Sequence, residues 1–133
     1  FNAMGLHPGK ERQMIAVDDI AVFTGLAFAN PDNYLRKTIE LAGDALTESQ
    51  IADTFAKVIG RPVTLTMPSG AGGRRSEEEM IAMFNFFNGE AYDADIPALR
   101  KIHPGLLTLE QYLRKSGWEN LQPLPVSQNA GWG

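Results

Sequence analysis

The chain of 133 residues contains no cysteine, and that absence removes several classes of site at once. Without a thiol there is no disulfide framework, no thiolate metal centre and no cysteine nucleophile. A cysteine-free chain fits a reducing compartment, so we expect a cytoplasmic protein. Histidine is scarce too, since only His7 and His103 occur. A transition-metal site normally needs three or four ligands, so the sequence predicts no metal.

Long apolar runs and excess positive charge are also missing. The longest apolar candidate, Ile20 to Ala29, is about half of the roughly 20 residues that span a bilayer. The formal net charge is −4, which argues against sequence-independent binding to the phosphates of nucleic acid. We therefore expect a single domain that binds neither a membrane nor a nucleic acid.

The motifs of nucleotide binding and of catalysis are absent as well. No Gly-x-Gly-x-x-Gly turn follows a predicted strand, and the sequence contains neither a Tyr-x-x-x-Lys pair nor a Gly-x-Ser-x-Gly motif. The nearest glycine cluster, Gly70 to Gly73, follows Pro68 and precedes three glutamates that occupy the start of a helix, where an anion would bind. We predict a solvated loop there, the alternative being a contact with an anion or a partner. We predict no catalytic or cofactor-binding residue in the chain.

The hydrophobic pattern predicts a small α/β domain of short, partly parallel strands with about five helices. Strands are predicted at 12–17, 38–42 and 63–67. A strand, a helix and a strand in succession imply a right-handed parallel crossover. The predicted helices begin near the following residues: Asp19, Thr47, Ser76, Asp95 and Thr108.

Polar residues at the predicted helix ends have a structural interpretation. Asp18 or Asp19 is expected to cap the first helix and not to form an acid–base pair, because both residues directly precede an apolar helix. Thr47 and Thr108 each begin a capping box. His103 follows a helix and precedes a proline, so its side chain is expected to cap the last carbonyl groups. The alternative is that His103 lines a pocket.

One aromatic-rich helix is the best candidate for the wall of a ligand pocket, and the alternative is that its side chains are ordinary core. The predicted wall consists of Met83, Phe84, Phe86 and Phe87 on this helix and of Tyr92 after it. The predicted residues for substrate or partner binding are Met83, Phe84, Phe87, Tyr92 and His103.

A series of segments resembles the NmrA-like family, which comprises relatives of the short-chain dehydrogenases. No single segment is specific, but their order and spacing from about Gly9 to Trp118 are fairly specific together. The segments that carry the resemblance are Ile15–Ala21, Thr38–Asp44 with Leu46-Thr47, Ile51-Ala52, Gly60–Val63, Phe84–Phe87, Gly89, Tyr92-Asp93, Asp95-Ile96, Leu106–Leu113 and Gly117-Trp118.

In that family a Rossmann half binds NAD(P), and the C-terminal part lines the substrate side. The resemblance implies that residues 4–120 are equivalent to this C-terminal part, after a cloning scar at 1–3 and before an extended tail at 121–133. Since the glycine turn is missing, the resemblance implies a non-catalytic binding or regulatory domain that binds no cofactor alone. The alternative is a fragment of an NAD(P)-dependent oxidoreductase whose nucleotide-binding half lies outside this chain.

The resemblance also implies partners. The strand at Thr38–Ala42 would join the Rossmann sheet of a full-length relative, and without that sheet it presents an unpaired edge. We therefore expect a homo-oligomer or a partner chain at this exposed edge, together with a small-molecule ligand.

Overall fold

The structure is a computed structural model, and it describes residues 7, 9–64, 77–89 and 92–122. Within these ranges, two β-strands lie among six α-helices and one short 3-10 helix. The strands are β1 (Glu11–Met14) and β2 (Asp44–Thr47). The helices are α1 (Val17–Ala29), α2 (Pro31–Tyr34), α3 (Glu48–Ile59), α4 (Glu77–Asn88), α5 (Ile96–Ile102), α6 (Leu109–Lys115) and the 3-10 helix Trp118–Asn120.

The two strands form one antiparallel sheet. Glu11 pairs with Thr47 at one end and Met14 pairs with Asp44 at the other. The ladder extends by one bond, since the Gly43 N–H donates to the Met14 carbonyl at 2.7 Å. The small α/β fold is confirmed, but the described sheet is antiparallel where the sequence predicted partly parallel strands.

The predicted strand at Thr38–Ala42 is wrong. These residues belong to no strand, and β2 begins at Asp44, where a turn was expected. Alternation of Ile39 and Leu41 indicated a half-buried strand, but Ile39 is 43% exposed in the structure. Leu41 packs against the core and Ala42 is completely buried without any strand pairing. The exposed edge expected at this segment is therefore not a strand edge.

Several expectations concern residues outside those described. They are the loop at 69–75, the cap at Ser76, the last three residues of the strand at 63–67, the scar at 1–3 and all but two residues of the tail at 121–133. Val63 and Thr64 are described and carry no strand pairing. The parallel crossover is therefore not present among the described residues.

The five predicted helices are confirmed, and their caps explain two of them in detail. The Thr47 hydroxyl accepts from the Gln50 N–H, while the Gln50 side chain accepts from the Thr47 N–H. Thr108 and Gln111 form the same reciprocal box at α6. The short helix α2 was not predicted, because Pro31 was interpreted only as a helix stop. A proline at the first helical position has a φ angle suited to starting a helix.

The main core gathers side chains from α1, from the segment before β2 and from the C-terminal helices. It consists of Phe23, Ala42, Ala94, Leu99 and Leu106. A second contact joins α3 to α6, where Ile51, Val58 and Leu113 are buried. None of the helices in the described ranges combines the length and the apolarity that crossing a bilayer requires.

A charged cluster lies at the α3–α6 contact. The Lys57 ammonium donates to the Glu110 carboxylate at 2.9 Å, and Arg114 donates to the same carboxylate at 3.0 Å. The hydrogen bond from Lys57, followed by the one from Arg114, holds the pKa of Glu110 below its usual value. The pair therefore favours ionised Glu110 and loses its attraction when that carboxylate is protonated in acid.

A close approach of two backbone segments requires glycine at position 43. A Cβ atom there would clash with the Leu107 carbonyl oxygen, which is backbone and cannot rotate away. We predict that Gly43→Ala lowers the free energy of unfolding by about 1–3 kcal/mol, because the two segments must separate. Urea denaturation followed by circular dichroism measures this loss.

The matched control is Gly25→Ala on the exposed side of α1. A Cβ at Gly25 meets no atom within 4 Å, and alanine is the better helix former. Gly25→Ala should therefore leave stability unchanged or raise it by up to about 1 kcal/mol. Equal effects of the two substitutions would contradict the close approach at Gly43.

Candidate functional site

Three aromatic rings meet where α4 ends. Phe86 and Phe87 lie with their ring centroids 5.5 Å apart, and Tyr92 lies 5.5 Å from Phe86 and 6.5 Å from Phe87. The Tyr92 side chain is 59% exposed. We call Phe86, Phe87 and Tyr92 the aromatic cluster. Because its rings are partly open to solvent, the cluster is a surface feature with area left to contact a ligand.

The structure therefore brings together two of the five predicted site residues, Phe87 and Tyr92. Met83 and Phe84 lie one turn earlier on α4 and are half-buried. Phe86 belongs to the pocket wall that the sequence predicted, although it was not among the five predicted binding residues. The structure places its ring against Tyr92.

Polar contacts from the N-terminal segment hold the end of α4 in place. The His7 N–H donates to the Asn88 side chain at 2.7 Å, and the Lys10 ammonium donates to the Gly89 carbonyl at 3.2 Å. Gln13 lies on β1, and its side-chain oxygen accepts from the Ala94 N–H at 2.9 Å. Its side-chain nitrogen donates to the Ala94 carbonyl at 3.1 Å. These bonds cross about 80 residues of sequence and fix the segment that carries Tyr92.

A cavity of about 600 Å³ lies between this N-terminal segment and Tyr92. Volumes of this size suit small organic ligands. Its lining mixes glycine backbone, one ammonium, two carboxylates, an amide and one aromatic ring. We call it the Tyr92 cavity, and its residues are Gly9, Lys10, Glu11, Gln13, Gly89, Tyr92 and Asp93.

His103 lies in a different environment from the aromatic cluster. Its Nε2 atom is 2.8 Å from Asp19 Oδ1, and its ring meets Phe23 edge-on at 5.7 Å between centroids. The expectation that the His103 side chain caps α5 is wrong. The backbone N–H of His103 bonds to the Leu99 carbonyl, while the imidazole bonds to α1. His103 does not line the Tyr92 cavity.

Asp19 is likewise not a helix cap. Helix α1 begins at Val17, and its N-cap residue, Ala16, makes no side-chain cap bond. The Asp19 carboxylate is 4% exposed and accepts from two distant donors, His103 Nε2 and the Leu107 N–H at 3.0 Å. Both partners lie more than 80 residues away, so no local pattern indicates them.

No metal centre can be assembled from the described residues. In these ranges, no group of three or more histidine or carboxylate side chains is arranged to hold an ion. The one close histidine–carboxylate pair, His103 with Asp19, supplies only two ligands, and one Asp19 oxygen already accepts from the backbone.

Comparison with known families adds one finding. The model of the NmrA-like family matches residues 4–113, which is most of the chain. No curated protein matches the chain.

The contrast between two neighbouring aspartates is testable. Asp19→Ala would leave the buried N–H groups of His103 and Leu107 without an acceptor, so we predict a loss of about 2–4 kcal/mol in unfolding free energy. Asp18→Ala is the matched control, because Asp18 is exposed in the same helical turn. Its loss should stay below about 1 kcal/mol. Urea denaturation of both variants decides the matter, and similar losses would refute the role of Asp19.

Proposed function

This chain belongs to the NmrA-like family, a generally NAD(P)-binding family, and from that premise we propose that it acts as a non-catalytic binding or regulatory domain. In this proposal the chain supplies the substrate-side portion of an NmrA-like protein in the cytoplasm. The observation that carries the proposal is that acidic side chains occupy the N-termini of the described helices, where the pyrophosphate of a dinucleotide would bind.

A pyrophosphate binds well at a helix N-terminus because free N–H groups and the helix dipole both favour negative charge. Each helix in the described ranges already has a carboxylate at that end. Asp18 and Asp19 lie in the first turn of α1, and Asp95 accepts from the Ala98 N–H at the start of α5. The corresponding residues of the other helices are Asp32, Glu48, Glu78, Glu79 and Glu110.

The two described strand-to-helix junctions support the same conclusion. Only Ile15 and Ala16 separate β1 from α1, and β2 passes directly into α3 at Thr47. Neither junction contains glycine, so neither lets the backbone approach a pyrophosphate closely. A dinucleotide would therefore meet side chains and negative charge at both places.

Ligand binding is proposed instead at the aromatic cluster and the adjoining Tyr92 cavity. Tyr92 belongs to both, so a molecule in the cavity would contact the ring that Phe86 and Phe87 support. Met83 and Phe84 extend the same helix and would contribute apolar surface. His103 is proposed to act indirectly, because its bond to Asp19 holds α1 against the C-terminal helices.

A second candidate function is favoured by the family itself. The chain would then be part of an NAD(P)-dependent oxidoreductase, with the nucleotide-binding half outside these residues. The coding sequence upstream of Phe1 discriminates between the two functions. A strand followed by a glycine-rich turn in the same frame would favour the oxidoreductase, and a stop codon there would exclude it.

We predict that NADPH titrated into this polypeptide gives no saturable heat in isothermal calorimetry, so that any Kd is weaker than about 1 mM. The reason is the absence of a free anion site at the described helix N-termini. The control variant Asp18→Asn removes one of these charges and should still not bind, because no glycine turn accompanies it. A micromolar Kd for the unmodified chain would overturn the proposal.

We also propose that the chain forms a homo-oligomer. Within the described residues each strand has a single neighbour, so β1 and β2 each keep an open edge. Apolar side chains near the two ends of α1 are exposed as well, Val17 by 77% and Phe28 by 83%. A second copy would cover both features.

Light scattering over a range of protein concentrations tests this association. We expect a mass above that of one chain, and a lower mass for Phe28→Asp, which places a charge in the apolar surface. Asn33→Asp adds the same charge at a nearby exposed polar position and should not change the mass. A monomer at every concentration would contradict the proposal.

A further inference from the structure

A second, smaller cavity shares no lining residue with the Tyr92 cavity and lies between α1 and the turn that follows α2. Its volume is about 200 Å³. Apolar side chains form most of its wall, and three polar side chains, Thr24, Tyr34 and Lys37, lie among them. We call it the α1–α2 slot, and its residues are Phe23, Thr24, Ala27, Tyr34, Lys37, Ile39 and Leu41.

The turn that supplies Tyr34 and Lys37 has an unusual backbone. The Lys37 N–H donates to the Tyr34 carbonyl at 3.2 Å, and Arg36 between them has a φ of 60°. Arg36 is the only described residue other than glycine with a positive φ. A left-handed conformation costs an L-residue energy and persists only where the surroundings impose it. Here it brings Lys37 back over the slot that Tyr34 lines.

The Thr24 hydroxyl already donates to the Ile20 carbonyl at 2.8 Å, so the other two polar groups of the slot are the ones available to a ligand. The Lys37 ammonium and the Tyr34 hydroxyl make no hydrogen bond or ion pair within the described part of the chain. Lys37 is the only charged side chain of the lining. The slot therefore pairs an apolar floor with one positive charge and one hydroxyl donor, a combination that suits an apolar group ending in a carboxylate.

We propose that the α1–α2 slot binds a small apolar monocarboxylate. Its carboxylate pairs with the Lys37 ammonium and accepts from the Tyr34 hydroxyl, while its apolar part lies against Phe23 and Leu41. The volume limits the ligand to about the size of a single ring or a short acyl chain. Phe23 belongs to the main core and packs edge-on against the His103 ring. A ligand in the slot would therefore contact a side chain of the main core.

Three probes with one ring and different charge test this proposal. Benzoate, benzamide and benzamidine are titrated into the chain while amide resonances of Thr24, Ala27 and Lys37 are followed by NMR. We expect benzoate to bind with a Kd on the order of 1 mM, as small ligands do, and at least about 10-fold more tightly than the other two. Equal binding of benzamide or benzamidine, or no shift of these resonances with benzoate, would overturn the proposal.

Paired lysine substitutions locate the charge. Lys37→Met should weaken benzoate binding about 10-fold or more, because it removes the charged partner. Lys101→Met removes the same charge from an exposed position on α5 and should leave the Kd unchanged. Both lysines are exposed, so neither variant endangers the fold. Equal weakening by the two variants would show a general charge effect and refute the slot.

Discussion

The carboxylate of Asp19 is the interaction on which the rest of this structure depends. A buried carboxylate is costly unless donors replace the water that it loses. Both of its oxygens are used, one by His103 and one by the Leu107 N–H, and these partners lie 84 and 88 residues away. His103 and Leu107 both lie in the connection between α5 and α6. Because the carboxylate bonds to both, it fixes the position of α1 against this connection. Phe23, one turn later, then falls into the centre of the main core.

Bonds from polar side chains to distant backbone atoms recur through the molecule. Asp44 accepts from the Leu109 N–H, and Arg100 donates to the Gly43 carbonyl, both at 2.9 Å. Gln13 does the same at Ala94. A sheet of two short strands stabilises little by itself. These hydrogen bonds add stability to the sheet, since each joins a residue in or next to a strand to the C-terminal third of the chain.

The two candidate binding places follow from this arrangement and differ in chemistry. The Tyr92 cavity is polar, carries charges of both signs and lies beside exposed aromatic rings. The α1–α2 slot is apolar with a single positive charge. They use different elements, so each site can be altered without touching the other. Neither of these two places combines a helix N-terminus with a glycine turn, the arrangement that binds a dinucleotide.

Local chemistry allowed the sequence by itself to determine five of the six described α-helices, the reciprocal caps at Thr47 and Thr108, and the family. Caps and apolar periodicity act within a few residues, so they can be recognised in a linear pattern. Tertiary structure alone decided that β1 and β2 pair antiparallel and that Ala42, just before Gly43, is buried without a strand. It also turned Asp19 from an expected cap into a buried partner of His103. These features depend on which distant donors and surfaces come together when the chain closes, and no local pattern encodes that choice.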